Sequence, residues 1–202
     1  MNNIKLKGIL KNIQESHNIQ DMEFGKANLI VTRDNGKEDC LNIRFKKYSN
    51  MYSDNQEVSL SGNVRSYSSK ADDGKNKVEL YVFTYFDHPE LNENDMEESN
   101  YLELDGRICK IEPLRKTKDG KTNIHLILAN NLIVSDGRKR LNSYIPCIAW
   151  GKTAVDLSSC SINTKLKLIG ELHSREYKKN FPDGTFEFRV AHECVIKSFE
   201  II

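Results

Sequence analysis

Tyr144 and Trp150 stand six residues apart in the stretch SYIPCIAWGKTAVDL, residues 143–157, and Lys152 follows two positions later. Trp150 is the only tryptophan in the 202-residue chain, beside 8 Phe and 8 Tyr. In a β-strand, an even separation puts two side chains on one face, and six residues span about 20 Å. Ile145, Cys147 and Ala149 alternate with the rings and are apolar or small. They read as the inward set, which leaves Tyr144, Pro146, Ile148 and Trp150 facing out. An exposed apolar and aromatic row usually marks a binding surface. Packing in a core or against a subunit is the alternative reading.

Cations crowd these rings in the sequence. Arg138, Lys139 and Arg140 precede the stretch, and Arg175 and Lys178 flank Tyr177. Arg107 follows Gly106, and Lys116, Lys118 and Lys121 fill the segment LRKTKDGK. Flat rings beside cations suit an unpaired polynucleotide. Base stacking contributes about 1–3 kcal/mol per base, while lysine and arginine track the phosphates. The first half of the chain has a thinner version: IRFKKYSNMY and NVRSYSSK offer Arg44, Phe45, Lys46, Tyr48, Arg65 and Tyr67.

Other chemistry finds no support. The sequence contains no GxxxxGK[ST], HExxH or GxSxG motif. His17, His88, His125, His173 and His192 are dispersed, without metal-ligand spacing. The acidic run Glu93–Glu98 reads as a solvated connection. No catalytic residue, metal site or cofactor is therefore expected, and the protein reads as a non-enzyme. The five cysteines form no CxxC pair and suit reduced, mostly buried thiols in a cytoplasmic protein. No run of 18 apolar residues or secretory leader is visible, so no membrane association is expected.

The elements that must carry these residues repeat once. Residues 89–100 are acidic and poor in large apolar side chains, and they read as a linker between residues 1–88 and 101–202. The charge divides accordingly: residues 1–90 are neutral, 91–100 carry −4, and 101–202 carry +5. Gly8 sits in IKLKGILKNI as Gly106 sits in LELDGRICKI. Gly62 sits in VSLSGNVRSY as Gly170 sits in LKLIGELHSREY. Each late glycine strand leads to an Asp-Gly turn and a final alternating strand. The second copy gives five strands with a short helix, KTAVDLSSCS, between the third and fourth. The first copy gives the same strands, and its helix slot SNMYSDNQ is too short for more than a turn. The fold class is all-β: two tandem OB-folds, each a five-stranded Greek-key barrel.

The second copy resembles the bacterial single-stranded DNA-binding protein (SSB) family. The resemblance rests on LELDGRI, LILANN, IPCIAWGK and LIGELHSREY, in that order, over roughly residues 100–201. It implies largely sequence-neutral binding of single-stranded DNA in replication, repair or transfer of a mobile element. It also places Trp150, Tyr144 and Tyr177 at stacking positions. The first copy resembles the family only in layout, with RFKK standing for the aromatic-Gly-Lys motif and Lys46 in place of the glycine. The chain stops at IKSFEII without the family's acidic, Phe-ended tip, so contacts with replication or recombination proteins are not expected through such a tip. Two barrels per chain imply a homodimer with four OB-folds, or a monomer. The other function class left open is an assembly module of the primosome type, with weak or no DNA binding.

Overall fold

The computed structural model describes the chain except residues 20–21, 47–52, 71–75, 85–98, 135–138 and 182; for residues 69–70, 76–77, 134 and 139 it describes the backbone alone. The elements run β1 (Asn2–Ile19), β2 (Met22–Thr32), β3 (Glu38–Lys46), β4 (Glu57–Lys70), β5 (Asn76–Thr84), β6 (Asn100–Ile111), β7 (Arg115–Lys116), β8 (Thr122–Val134), β9 (Lys139–Trp150), α1 (Gly151–Leu157), β10 (Lys165–Asn180) and β11 (Phe186–Ile201). No helix among the described residues is long and apolar enough to cross a membrane.

Pairing closes two barrels. The first runs β1–β2–β3–β5–β4 and returns to β1, with β3 parallel to β5. The second runs β6–β8–β9–β11–β10 and returns to β6, with β9 parallel to β11. Both are OB-folds. The segment LRKTKDGK is not wholly loop: Arg115 and Lys116 pair with β8 as β7, and Thr117–Lys121 form the turn. Alternation in sequence becomes alternation in burial. In β3, Asp39, Leu41, Ile43 and Phe45 face in, while Cys40, Asn42, Arg44 and Lys46 face out. The cysteines are less buried than their composition suggests. Cys147 and Cys194 are core residues, but Cys40 and Cys160 are half-buried and Cys109 is exposed.

Gly62 and Gly170 let a neighbouring strand's backbone approach the long fourth strands closely. A Cβ on either would stand 2.3 Å from a backbone oxygen, that of Phe83 or Val195, where no side chain fits.

The barrels are joined by antiparallel pairing of β1 with β6, which merges all strands into one sheet. Each first strand also carries a buried asparagine that imitates a strand edge. Asn2 Nδ2 donates to Val64 O (2.7 Å), and Val64 N–H donates to Asn2 Oδ1 (2.8 Å). Asn100 does the same with Leu172, at 2.7 and 3.0 Å. Each asparagine lies six residues before its strand's glycine (Gly8, Gly106), and each partner lies two residues after Gly62 or Gly170. The duplication thus extends to single hydrogen bonds.

Each β4-type strand also reaches across to the other barrel's third strand. Ser66 Oγ accepts from the Tyr144 N–H (2.8 Å), and Ser66 N–H donates to Ser143 Oγ (3.4 Å). On the other side Ser174 Oγ accepts from the Cys40 N–H (2.9 Å), and Ser174 N–H donates to the Asp39 carboxylate. Arg33 closes this second seam. It pairs with Asp39, whose side chain is fully buried, and donates to Ser174 O (3.1 Å). His192 Nε2 donates to Cys40 O (2.8 Å) beside it.

Burial alone would raise the Asp39 carboxyl, but the hydrogen bonds from Arg33 and Ser174 outweigh it and the net shift is downward. Burial lowers His192 against the opposing effect of its bond to Cys40. Both groups hold fewer protons folded than unfolded, so both remove stability as pH falls: His192 below its unfolded value near 6.5, Asp39 below the ordinary carboxylate range near 3.8. Asp39→Asn is accordingly less stable than wild type at pH 7, and the gap closes as the medium becomes more acidic than that range. Urea midpoints measured against pH check this.

Candidate nucleic-acid interface

On the second barrel, Tyr144 and Trp150 share the outer face of β9 and are 48% and 41% exposed. Ile145, Cys147 and Ala149 point into the core, as strand parity requires. Trp150 sits where β9 ends. Gly151 takes a left-handed φ of 56°, which turns the chain into α1 and leaves Lys152 exposed in the first turn. One member of the outward row is not available. Ile148 has the right parity but is only 4% exposed, because His125 on β8 and Val195 on β11 lie directly beside it.

Cross-strand register decides which cations join these rings. Arg107, Ala129 and Tyr144 form one row across β6, β8 and β9. Arg115, Asn123 and Trp150 form another across β7, β8 and β9. Arg115 carries no sequence signal, since its place in Trp150's row depends on the two-residue β7. Its guanidinium pairs with Glu112 at 3.0 Å, and Arg107 donates to Asn163 O at 3.0 Å. Lys116 and Lys121 are exposed on the β7–β8 hairpin, and Arg140 lies on the outward parity of β9. Arg138 lies outside the described residues, and of Lys139 only the backbone is described.

Tyr177, Arg175 and Lys178 sit on the part of the β10–β11 hairpin beyond the barrel. Arg175 lies 5.7 Å over the Tyr177 ring on the outward side. Lys178, one residue on, takes the opposite side and stands 3.7 Å over Phe186. It is not Tyr177's neighbour in the way adjacency in sequence implies. Phe186, Phe188 and Val190 extend along that opposite side and are 53%, 65% and 49% exposed.

The first barrel carries the denser array. Arg44 lies 4.3 Å over Tyr81 and 5.9 Å over Tyr67, and Arg65 lies 4.0 Å over Phe83. Phe83 approaches Phe24 at 6.4 Å, and Phe24 stacks on His17 at 4.8 Å. Cation–π pairs of this kind contribute about 0.5–2 kcal/mol and hold the guanidinium planes flat. Arg44, Lys46, Arg65 and Tyr67 are therefore on one outer surface. Tyr81, Phe83, Phe24 and His17 were missed, because only strand pairing brings them beside Arg44 and Arg65. Phe45 does not belong to the surface. It is 7% exposed and packs in the core over Gly25, where an added Cβ would meet its ring. Tyr48 lies outside the described residues.

The seams fix how the two copies align. Cys40 and Tyr144 donate equivalent hydrogen bonds, so Phe45 corresponds to Ala149 and Lys46 to Trp150. Reading RFKK with Phe45 in the tryptophan's place is one residue out of register, and one residue reverses the face. Among the described residues no group of three or more His, Cys, Asp or Glu side chains could hold a metal ion.

Two closed five-stranded Greek-key barrels in one chain, each with an exposed face over its second and third strands, define a tandem OB-fold protein. Two crystal structures share this architecture along the whole chain. A deletion variant of the single-stranded DNA binding protein from Thermus aquaticus superposes with a TM-score of 0.70 at 18% identity, covering 100% of this chain and 94% of that one. The wild-type protein gives 0.68 at 17% identity, covering 100% and 93%. At such identities the likeness is one of fold. No protein-family model and no curated protein sequence matches the chain.

The two aromatic positions separate cleanly by stability. Trp150→Ala costs about 1 kcal/mol or less, as a surface substitution does. Phe45→Ala costs about 3–5 kcal/mol. Paired urea titrations check both values.

Proposed function

We propose that this protein binds single-stranded DNA, largely without regard to sequence, by stacking bases on exposed aromatics and holding phosphates with lysine and arginine. The observation that carries the reading is the shared register of rings and cations on the outer face of each barrel. OB-folds bind oligonucleotides on the surface formed by their second and third strands. Here the third strand and the elements beside it present Tyr144 and Trp150 with Arg107 and Lys152 in one barrel, and Arg44 of β3 with Arg65 and Tyr67 of β4 and Tyr81 of β5 in the other. The Thermus aquaticus protein of similar fold is a single-stranded DNA binding protein, which supports the same ligand class. Residues 1–88 and 101–202 act as two binding units. The acidic segment 89–100 carries −5 and is repelled by the strand. Such a protein serves replication, repair or mobile-element transfer by covering exposed strands.

A second reading, assembly through protein contacts, draws on one observation: the exposed Phe186, Phe188 and Val190 side of the β10–β11 hairpin.

Titration with an oligo-dT, followed by Trp150 fluorescence, separates them. Binding quenches the single tryptophan, and affinity falls steeply as salt rises. The Trp150→Ala, Tyr144→Ala double variant binds at least about 10-fold more weakly, since each lost stacking partner removes about 1–3 kcal/mol. Undiminished binding by that variant sinks the assignment of the second face. Absence of binding by wild type at low salt leaves the assembly reading standing. Arg44→Ala lowers affinity and flattens the salt dependence; an unchanged salt slope removes the first barrel from the interface.

A further inference from the structure

The first barrel's face has a floor that the second lacks. A groove of about 360 Å³ opens over β2 and β3, walled on one side by Tyr81 and Arg44. Its floor is a row of carboxamides. Asn12 Nδ2 donates to Asn28 Oδ1 (3.2 Å), Asn28 Nδ2 to Asn42 Oδ1 (3.5 Å), and Asn42 Nδ2 to Leu80 O (3.2 Å). Asn28 and Asn42 are directly paired across the two strands. At the equivalent paired positions of the second barrel stand Ile127 and Pro146. Those two side chains offer a base a surface for stacking but no hydrogen bond.

The direction of the amide row determines what it offers. A carboxamide has two N–H donors and one oxygen. Along the row, each amide uses one N–H to reach the next acceptor, and the oxygens of Asn28 and Asn42 each receive one. The second N–H of each amide is left for a ligand. Lys26 and Arg44, at the rim, add donors and no acceptor, and they outnumber the single carboxylate in the lining, Glu79. The groove thus offers free amide donors and is bounded on one side by an aromatic–guanidinium wall.

We propose that this groove takes a nucleobase by hydrogen-bonding its edge to the remaining amide N–H groups, so that the first barrel holds a base with carbonyl acceptors more tightly than one of the same shape that lacks them. The second barrel, with its aliphatic floor, stacks bases without that distinction. The proposal rests on the nucleic-acid reading above and adds a specificity element to it.

The test replaces thymine with difluorotoluene, an isostere of the same shape that lacks thymine's carbonyl acceptors. Affinities of the whole protein for an oligo-dT and for the matched difluorotoluene oligomer are measured by fluorescence anisotropy. Wild type prefers thymine by about 10-fold, the effect of roughly two ordinary hydrogen bonds. Asn28→Leu reduces that preference towards one while retaining binding to the isostere. Asn28→Asp keeps the size of the side chain, loses the donor, and also loses the preference; thermal melts establish that both variants fold. Equal binding of the two oligomers by wild type overturns the proposal and leaves the single-strand reading intact. Failure of wild type to bind either oligomer at low salt overturns both.

Discussion

The antiparallel pairing of β1 with β6 is the constraint on which the rest of the molecule depends. Ile4 pairs with Leu102 and Leu6 with Asn100, so the first strand of each barrel is shared with the other. Asn2 and Asn100 lock the arrangement from within by completing the edges at Val64 and Leu172. A buried amide that loses its partner costs about 1–3 kcal/mol, so these bonds tolerate little sliding of one barrel against the other. With the first strands fixed, each fourth strand must pass the other barrel's third strand. Ser66 then meets Tyr144, and Ser174 meets Cys40, at the base of each outer face.

The same geometry holds two faces of different chemistry. Arg44 corresponds to Ile148, Tyr81 to Glu193 and Phe83 to Val195, as the parallel pairings Ile43–Val82 and Cys147–Cys194 establish. In the second barrel the outer ends of the row are aromatic and its middle is aliphatic and closed. Glu193 there pairs with Arg175 at 3.7 Å, and Glu171 binds both His173 and Lys197. The first barrel places rings and guanidinium groups where the second places ion pairs. A duplicated scaffold has thus kept its hydrogen-bonded seams and diverged in what it shows the solvent.

Much of this was legible in the sequence. Alternation gave the strands, the four interrupting glycines gave the duplication, and parity separated Tyr144 and Trp150 from Ile145, Cys147 and Ala149. These features are local, with a period that a single strand reveals. What escaped depends on pairing between strands. Parity says that Ile148 faces out, yet its neighbours on β8 and β11 cover it. Phe45 was matched to Trp150 because RFKK looks like AWGK, whereas the seam hydrogen bonds put Lys46 there. Tyr81, Phe83 and Phe24 lie far from Arg44 and Arg65 along the chain, so nothing local joins them. Asn2 and Asn100 look like ordinary polar residues at the start of a strand. The first face, thinner when only IRFKKYSNMY and NVRSYSSK are counted, holds the larger set of rings and guanidinium groups, because strand pairing adds Tyr81, Phe83 and Phe24 to it.

Both faces touching one kind of ligand is the central claim, and photocrosslinking tests it most directly. An oligo-dT in which bromouracil replaces thymine is irradiated with the protein, and the crosslinked peptides are mapped by mass spectrometry. The account requires adducts at Trp150 or Tyr144 on the second barrel and at Tyr67, Tyr81 or Phe83 on the first. Adducts confined to Phe186 and Phe188, or none at a concentration where the oligomer is bound, would contradict it.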